Sequence, residues 1–200
     1  INLLLHINDE EREYLYEKAY SVRYEHYKNS VYVRGLIEFS NYCKNDCTYC
    51  GISIHNKELT RYHMTPEEVI KTAEIGYSLG FRTFVMQGGE DTSFTDDKFS
   101  AIISSIKTQF PEAAVTLSIG ERSKESYQKL YDAGADRFLI RHETINKNLY
   151  EKLHPKMSYE NRIKSLFDLK DIGFQVGTGF MVGVPGQEIE DIADDLLFIK

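Results

Sequence analysis

Five times along this 200-residue chain a short apolar run gives way to a loop and then to a segment of helical periodicity. The runs are residues 31–40, Thr83–Met86, Ala114–Ser118, Arg137–Arg141 and Gln175–Phe180. Helical patterns follow over 65–79, 96–109, 123–133, 158–172 and from about Glu188. Thr65-Pro66-Glu67-Glu68 supplies a capping hydroxyl, a first-turn proline and a Glu that completes a capping box. Gly80, Gly134 and Gly173 stand where helices should end. Short strands alternating with helices argue for βα units on a parallel sheet, an α/β fold. A doubly wound open sheet and a (β/α) barrel both satisfy the alternation. A further helix is expected over residues 8–28, with Asn8 or Asp9 as cap and Leu15, Ala19 and Val22 at helical spacing. The chain thus divides into a helical segment, 1–30, and a repeating part, 31–200.

Either architecture places its active site at the carboxyl ends of the strands. Those ends here carry Glu38, Gln87, Ser118, Arg141 and Thr178. Composition narrows the partners. A net charge of −7 argues against a nucleic-acid partner, which calls for a basic patch. No apolar run approaches the roughly 20 residues that span a membrane. The start, Ile1-Asn2-Leu3-Leu4-Leu5, lacks the basic region and cleavage site of a secretory leader. No membrane association and a cytoplasmic location are therefore expected. Because the chain opens on Ile1 and stops at Lys200 within a helical pattern, it reads as a piece of a longer protein.

The cysteines carry the chemistry. There are three, Cys43, Cys47 and Cys50, spaced x3 and x2 just after the first strand. An odd, clustered set without a secretory leader is a poor disulfide framework. Three thiolates on one short loop can each ligate one iron of a 4Fe–4S cube and leave the fourth iron open. The amino and carboxylate groups of an amino acid can chelate that open iron. S-adenosylmethionine (SAM) bound this way brings its sulfonium against the cluster for reductive cleavage. Tyr49, between the last two cysteines, could pack on the adenine. The alternative is a non-catalytic zinc knuckle with His55 or His63 as fourth ligand.

The loop and its place after the first strand resemble the radical SAM superfamily. Gln87-Gly88-Gly89-Glu90-Asp91, at the end of the second strand, is similar to that family's GGE motif, whose backbone binds the methionine amino group. Glycines there let the backbone approach a ligand closely, although a plain βα turn would use them too. Longer runs resemble the HydE group of FeFe-hydrogenase maturases within the superfamily. They are Ile37–Asn41, Arg61–Glu68, Thr116–Glu121, Arg141–Thr144 and Met181–Gln187. Biotin synthase and methylornithine synthase share the layout.

The resemblance implies a TIM-type (β/α) barrel, represented here by about its first five units, with a 4Fe–4S cluster and SAM as cofactors. Glu143 and Arg162 would hold SAM, Arg162 through a bidentate pair with its carboxylate. Arg162 could instead be an exposed helix arginine. Ser118 and the Met181-Val182 segment would line the ribose and adenine, unless Met181 is only a strand-end core residue. Thr116 and Arg141 would point into the barrel as substrate or anion contacts, or Arg141 would pair with Glu38 or Glu143. The substrate implied is a small cysteine-bound iron carbonyl–cyanide complex delivered by another hydrogenase maturase. The electron donor implied is a ferredoxin or flavodoxin. A radical mutase or a biotin synthase-like enzyme remains the nearer alternative. No role follows for His142 or His154, since a lone histidine beside a motif is more often structural.

Overall fold

The computed structural model describes Ile1 and residues 5–200. Residues 2–4, part of the 1–30 segment and of the start read for a leader, lie outside the described residues. Helix α1 (Asp9–Tyr27) opens with the capping box Asn8/Glu11. None of its residues is buried, so Leu15 and Val22 keep their spacing but not a core contact.

The repeating part follows as β1 (Gly35–Ser40), α2 (Pro66–Ser78), β2 (Thr83–Gly88), α3 (Asp96–Gln109), β3 (Ala114–Ser118) and α4 (Lys124–Asp132). It continues with β4 (Arg137–Leu139), α5 (Lys147–Leu153), α6 (Tyr159–Ile172), β5 (Gln175–Gly177) and α7 (Ile189–Phe198). The strands pair in parallel in chain order, β1-β2-β3-β4-β5. A doubly wound sheet reverses its order at a switch point, whereas a barrel adds each strand beside the last, so the order decides for the barrel. The five strands make a partial barrel.

Alternate residues of each strand face opposite ways. Ile37, Phe39, Phe84, Met86, Val115, Leu117 and Phe138 are buried in one cluster with Phe99, Ile102, Ile103, Ile106, Tyr127, Leu130 and Leu169 of the helices. The other face carries aligned rows. Glu38, Gln87 and Ser118 stand side by side near the carboxyl ends. One layer deeper lie Val85, Thr116, Arg137 and Gln175.

Three expectations need correction. Residues 31–34 are not strand: β2 pairs with β1 only from Gly35 onward, and the unpaired Val31, Tyr32 and Val33 are exposed. Residues 142–157 are not all loop: α5 is capped by Asn146 and buries Leu149, Tyr150 and Leu153. The strands β4 and β5 also end earlier than their apolar runs. Among the described residues no helix is long and apolar enough to cross a membrane.

Candidate cluster and cofactor site

The cysteine loop leaves β1 at Ser40 and returns at His63, which bridges back to Ser40. Arg61 holds it closed. Its guanidinium donates to the carbonyls of Asn41, Ile52 at 2.8 Å, Ser53 at 2.7 Å and Asn56 at 3.2 Å. Sequence reasoning missed this role, because one arginine in a polar loop carries no signal of what it binds.

Cys43 and Cys50 line a cavity of about 760 Å³ at the carboxyl ends of the strands. Cys47 lies with its Sγ 3.9 Å from Met157 Sδ. Burial, then the neighbouring Cys50 and Cys43, pushes the Cys47 thiol up to about 12. A thiol held protonated in this way suits a cationic centre, which deprotonates coordinating sulfur outright. Among the described residues no three His, Cys, Asp or Glu side chains converge where a single ion could sit. Tetrahedral zinc needs such a point, whereas a cube takes one thiolate per iron. His55 and His63 face Asp46 at 3.9 Å and Asp91 at 3.7 Å instead. The donor set fits the cluster.

Gln87, Gly88, Gly89, Glu90 and Ser118 all line the same cavity. A Cβ on Gly89 would lie 2.2 Å from the Tyr42 carbonyl oxygen and 2.6 Å from Cys43 Cβ. The GGE segment and the cysteine loop therefore touch backbone to backbone. Glu90 joins three loops: its Oε2 lies 3.0 Å from Lys44 Nζ, and its Oε1 accepts from the Glu121 amide at 2.9 Å.

Glu143 is buried and adopts φ +64°, a left-handed conformation rare for a residue with a Cβ. Its Oε1 accepts from the Tyr49 hydroxyl at 3.1 Å and lies 3.4 Å from Arg141 Nε, while Oε2 has no protein partner. An orphaned buried carboxylate oxygen on a strained residue marks a place built for a ligand. Arg141 thus pairs with Glu143 and also lines the cavity. Arg162 is 6% exposed, so it is no surface arginine. Its Nε donates to Glu121 Oε1 at 2.6 Å and its Nη1 to the Arg141 carbonyl. Burial opposes the Arg162 charge, but the surroundings of Tyr150, Glu121 and Glu143 outweigh it and raise the group. Burial lifts the Glu121 carboxyl above its ordinary range. Glu121 went unassigned in the sequence.

Besides Cys47, three predicted residues stand off the cavity wall. The Tyr49 ring packs edge-on against His154. Met181 meets the site through its backbone, donating to the Glu143 carbonyl at 2.9 Å. Thr116 lies in the deeper layer, in a second cavity at the amino ends of the strands, beside Arg137.

The sequence profile of the Radical SAM superfamily matches residues 37–199. The chain belongs to the radical SAM superfamily. Enzymes of this family use a 4Fe–4S cluster and SAM, the groups the cysteine loop fits. The [FeFe] hydrogenase maturase subunit HydE of Thermotoga maritima is 47% identical over 197 residues, 98% of this chain and 56% of that protein. The 3-methylornithine synthase of Methanosarcina acetivorans is 30% identical over 96% of this chain and 55% of its own length. A crystal structure of methylornithine synthase superposes with a TM-score of 0.90 at 28% identity, covering all of this chain and 59% of that one. A structure of HydG, a maturase of the [FeFe]-hydrogenase, has a TM-score of 0.82 at 26% identity over 90% of this chain and 42% of its own. The chain thus spans little more than half the length of the curated relatives it matches.

Proposed function

We propose that this chain is the cofactor-binding part of a radical SAM enzyme that serves FeFe-hydrogenase maturation in the cytoplasm. The observation that carries the reading is the 47% identity to a HydE subunit over nearly the whole chain. Cluster and SAM together supply one-electron reductive cleavage of the sulfonium carbon–sulfur bond, giving methionine and a 5′-deoxyadenosyl radical. Cys43, Cys47 and Cys50 each hold one iron. The Gly88-Gly89 backbone, packed close against the cysteine loop, lines the cavity where the methionine amino group would bind. Glu143 offers its free Oε2 to a donor of SAM, and Arg162 offers remaining N–H groups to the carboxylate. Gln87, Glu90 and Ser118 complete the wall, with Tyr49 and Met181 behind it. Arg141 faces the substrate from the cavity wall, while Thr116 lies in the second cavity at the amino ends of the strands. The substrate is a small molecule, a cysteine-bound iron carbonyl–cyanide complex made by another maturase, and the electron comes from a ferredoxin or flavodoxin.

Anaerobic reconstitution of the full-length protein, followed by dithionite and SAM, should release 5′-deoxyadenosine. Complementation of a host lacking its HydE subunit should restore hydrogenase activity. No 5′-deoxyadenosine would refute the radical reading. Nucleoside without complementation would favour a second reading, a radical mutase or biotin synthase-like enzyme, which the methylornithine synthase likeness supports.

A further inference from the structure

Residues 41–62 form no regular strand or helix, so the cysteine loop takes its shape from side-chain contacts. Arg61 ties Asn41 near the start of the loop to Ile52, Ser53 and Asn56 near its end. The middle of the loop, which carries Cys47, is held from a different part of the chain. Thr48 donates its amide to the Leu153 carbonyl at 2.9 Å and its hydroxyl to the same oxygen at 3.4 Å. The Tyr49 hydroxyl lies 2.9 Å from His154 Nε2. Cys47 Sγ lies 3.9 Å from Met157 Sδ, and Lys156 Nζ lies 3.7 Å from Asp46 Oδ2. Four consecutive loop residues thus meet one short segment about a hundred positions away in sequence.

We propose that the corner between α5 and α6, residues 153–157, is a clasp that fixes the cysteine loop for cluster binding, with His154 as its positioning residue. The inference rests on the cysteine loop being the cluster loop. His154 is 1% exposed and stacks on Tyr150 with ring centroids 4.2 Å apart, so the imidazole cannot swing. Its Nδ1 lies 3.0 Å from the Tyr150 carbonyl. A carbonyl only accepts, so Nδ1 carries the proton. Burial holds the imidazole neutral, and Nε2 is left as an acceptor aimed at Tyr49. The phenolic proton is therefore shared between His154 and Glu143 Oε1, with His154 the nearer. The Tyr49 hydroxyl, on the residue before Cys50, so joins the helix corner to the cavity carboxylate.

The test compares the parent chain with His154→Leu, His154→Gln and Tyr49→Phe after anaerobic reconstitution. It reads iron release to a ferrous chelator and the electron paramagnetic resonance spectrum of the reduced cluster. Loss of one buried hydrogen bond should speed release about tenfold, equivalent to ~1.4 kcal/mol. The spectrum of His154→Leu should change. His154→Gln keeps an acceptor for Tyr49 and should stay within about twofold of the parent, a rescue that a merely space-filling role would not produce. If His154→Leu fails to fold, Tyr49→Phe keeps the ring, deletes only the hydroxyl and must show the same acceleration. Parent-like release from a folded His154→Leu or from Tyr49→Phe overturns the clasp, as does His154→Gln behaving like His154→Leu. A parent that takes up no iron overturns the cluster reading and the clasp with it.

Discussion

Replacing Gly89 with Ala tests whether the cluster loop and the GGE segment are one packed unit. The added Cβ would stand 2.2 Å from the Tyr42 carbonyl oxygen and 2.6 Å from Cys43 Cβ, where ordinary contact begins near 3.4 Å. Clearing the carbonyl takes a shift of about 1.2 Å, the difference of those two values. Neither obstacle is the end of a flexible side chain, so the cysteine loop must move away from β2. Overpacking of this kind costs about 1–3 kcal/mol. Gly51→Ala is the control: it follows Cys50 directly, yet its Cβ would meet nothing within 4 Å. A change there should stay within about 0.5 kcal/mol. Urea unfolding measures the stability, and iron and sulfide per chain after anaerobic reconstitution measure the site. Gly89→Ala should unfold earlier and hold less cluster, while Gly51→Ala matches the parent. Parent-like stability and a full cluster in Gly89→Ala would refute the close-contact argument.

Acid should destabilise the fold through two histidines. Burial holds His142 and His154 down to about 4, from an ordinary value of 6.5. Both bind protons more readily unfolded, so their contribution is fully present above pH 6.5 and is lost as pH falls towards 4. Each can contribute up to about 3 kcal/mol, opposed by Asp195, whose carboxyl burial lifts. Urea midpoints across that range should fall with pH, and a flat profile would contradict the assignment. Arg162→Met removes the partner of the partly buried Glu121, whose Oε1 lies 2.6 Å from Arg162 Nε. Stability should drop by about 3 kcal/mol by urea unfolding, and Glu121→Gln in the same background should recover part of it. No recovery would mean the pair is not what was lost.

The βα alternation, the cap at Thr65 and the glycine stops were legible because each is written in a few adjacent residues. Residues 31–34 were misread because Val31, Tyr32 and Val33 have strand propensity but no neighbour to pair with, and pairing is a tertiary fact. Helix α5 was missed because seven residues carry too little periodicity to separate from loop. At the site, Cys43, Cys47 and Cys50 announced themselves by spacing. Glu121 and His154 did not, since their work depends on partners distant in sequence, and neither did Arg61, whose partners are backbone carbonyls of its own irregular loop. Thr116 shows a finer limit: the family resemblance implied that it points into the barrel, but only register separates its layer from that of Ser118.

The polar contacts around the cavity close into a ring, and the ring explains why so many charges are tolerated there. Lys44 of the cysteine loop pairs with Glu90 after β2, and Glu90 accepts from the amide of Glu121 after β3. Glu121 accepts from Arg162 of α6, which donates to the carbonyl of Arg141 after β4. Arg141 faces Glu143, and Glu143 accepts from Tyr49, back in the cysteine loop. Buried polar networks hold only when each member is satisfied, because an unpaired group in low dielectric costs more than the network gains. Among the ring's described side chains, one buried oxygen lacks a protein partner, Glu143 Oε2. It belongs to the residue with the strained backbone, on the wall of the cavity that Cys43 and Cys50 also line. A hydrogen-bond donor arriving there completes the network, so the fold itself sets aside one acceptor beside the cluster loop for a cationic or hydroxyl-bearing ligand.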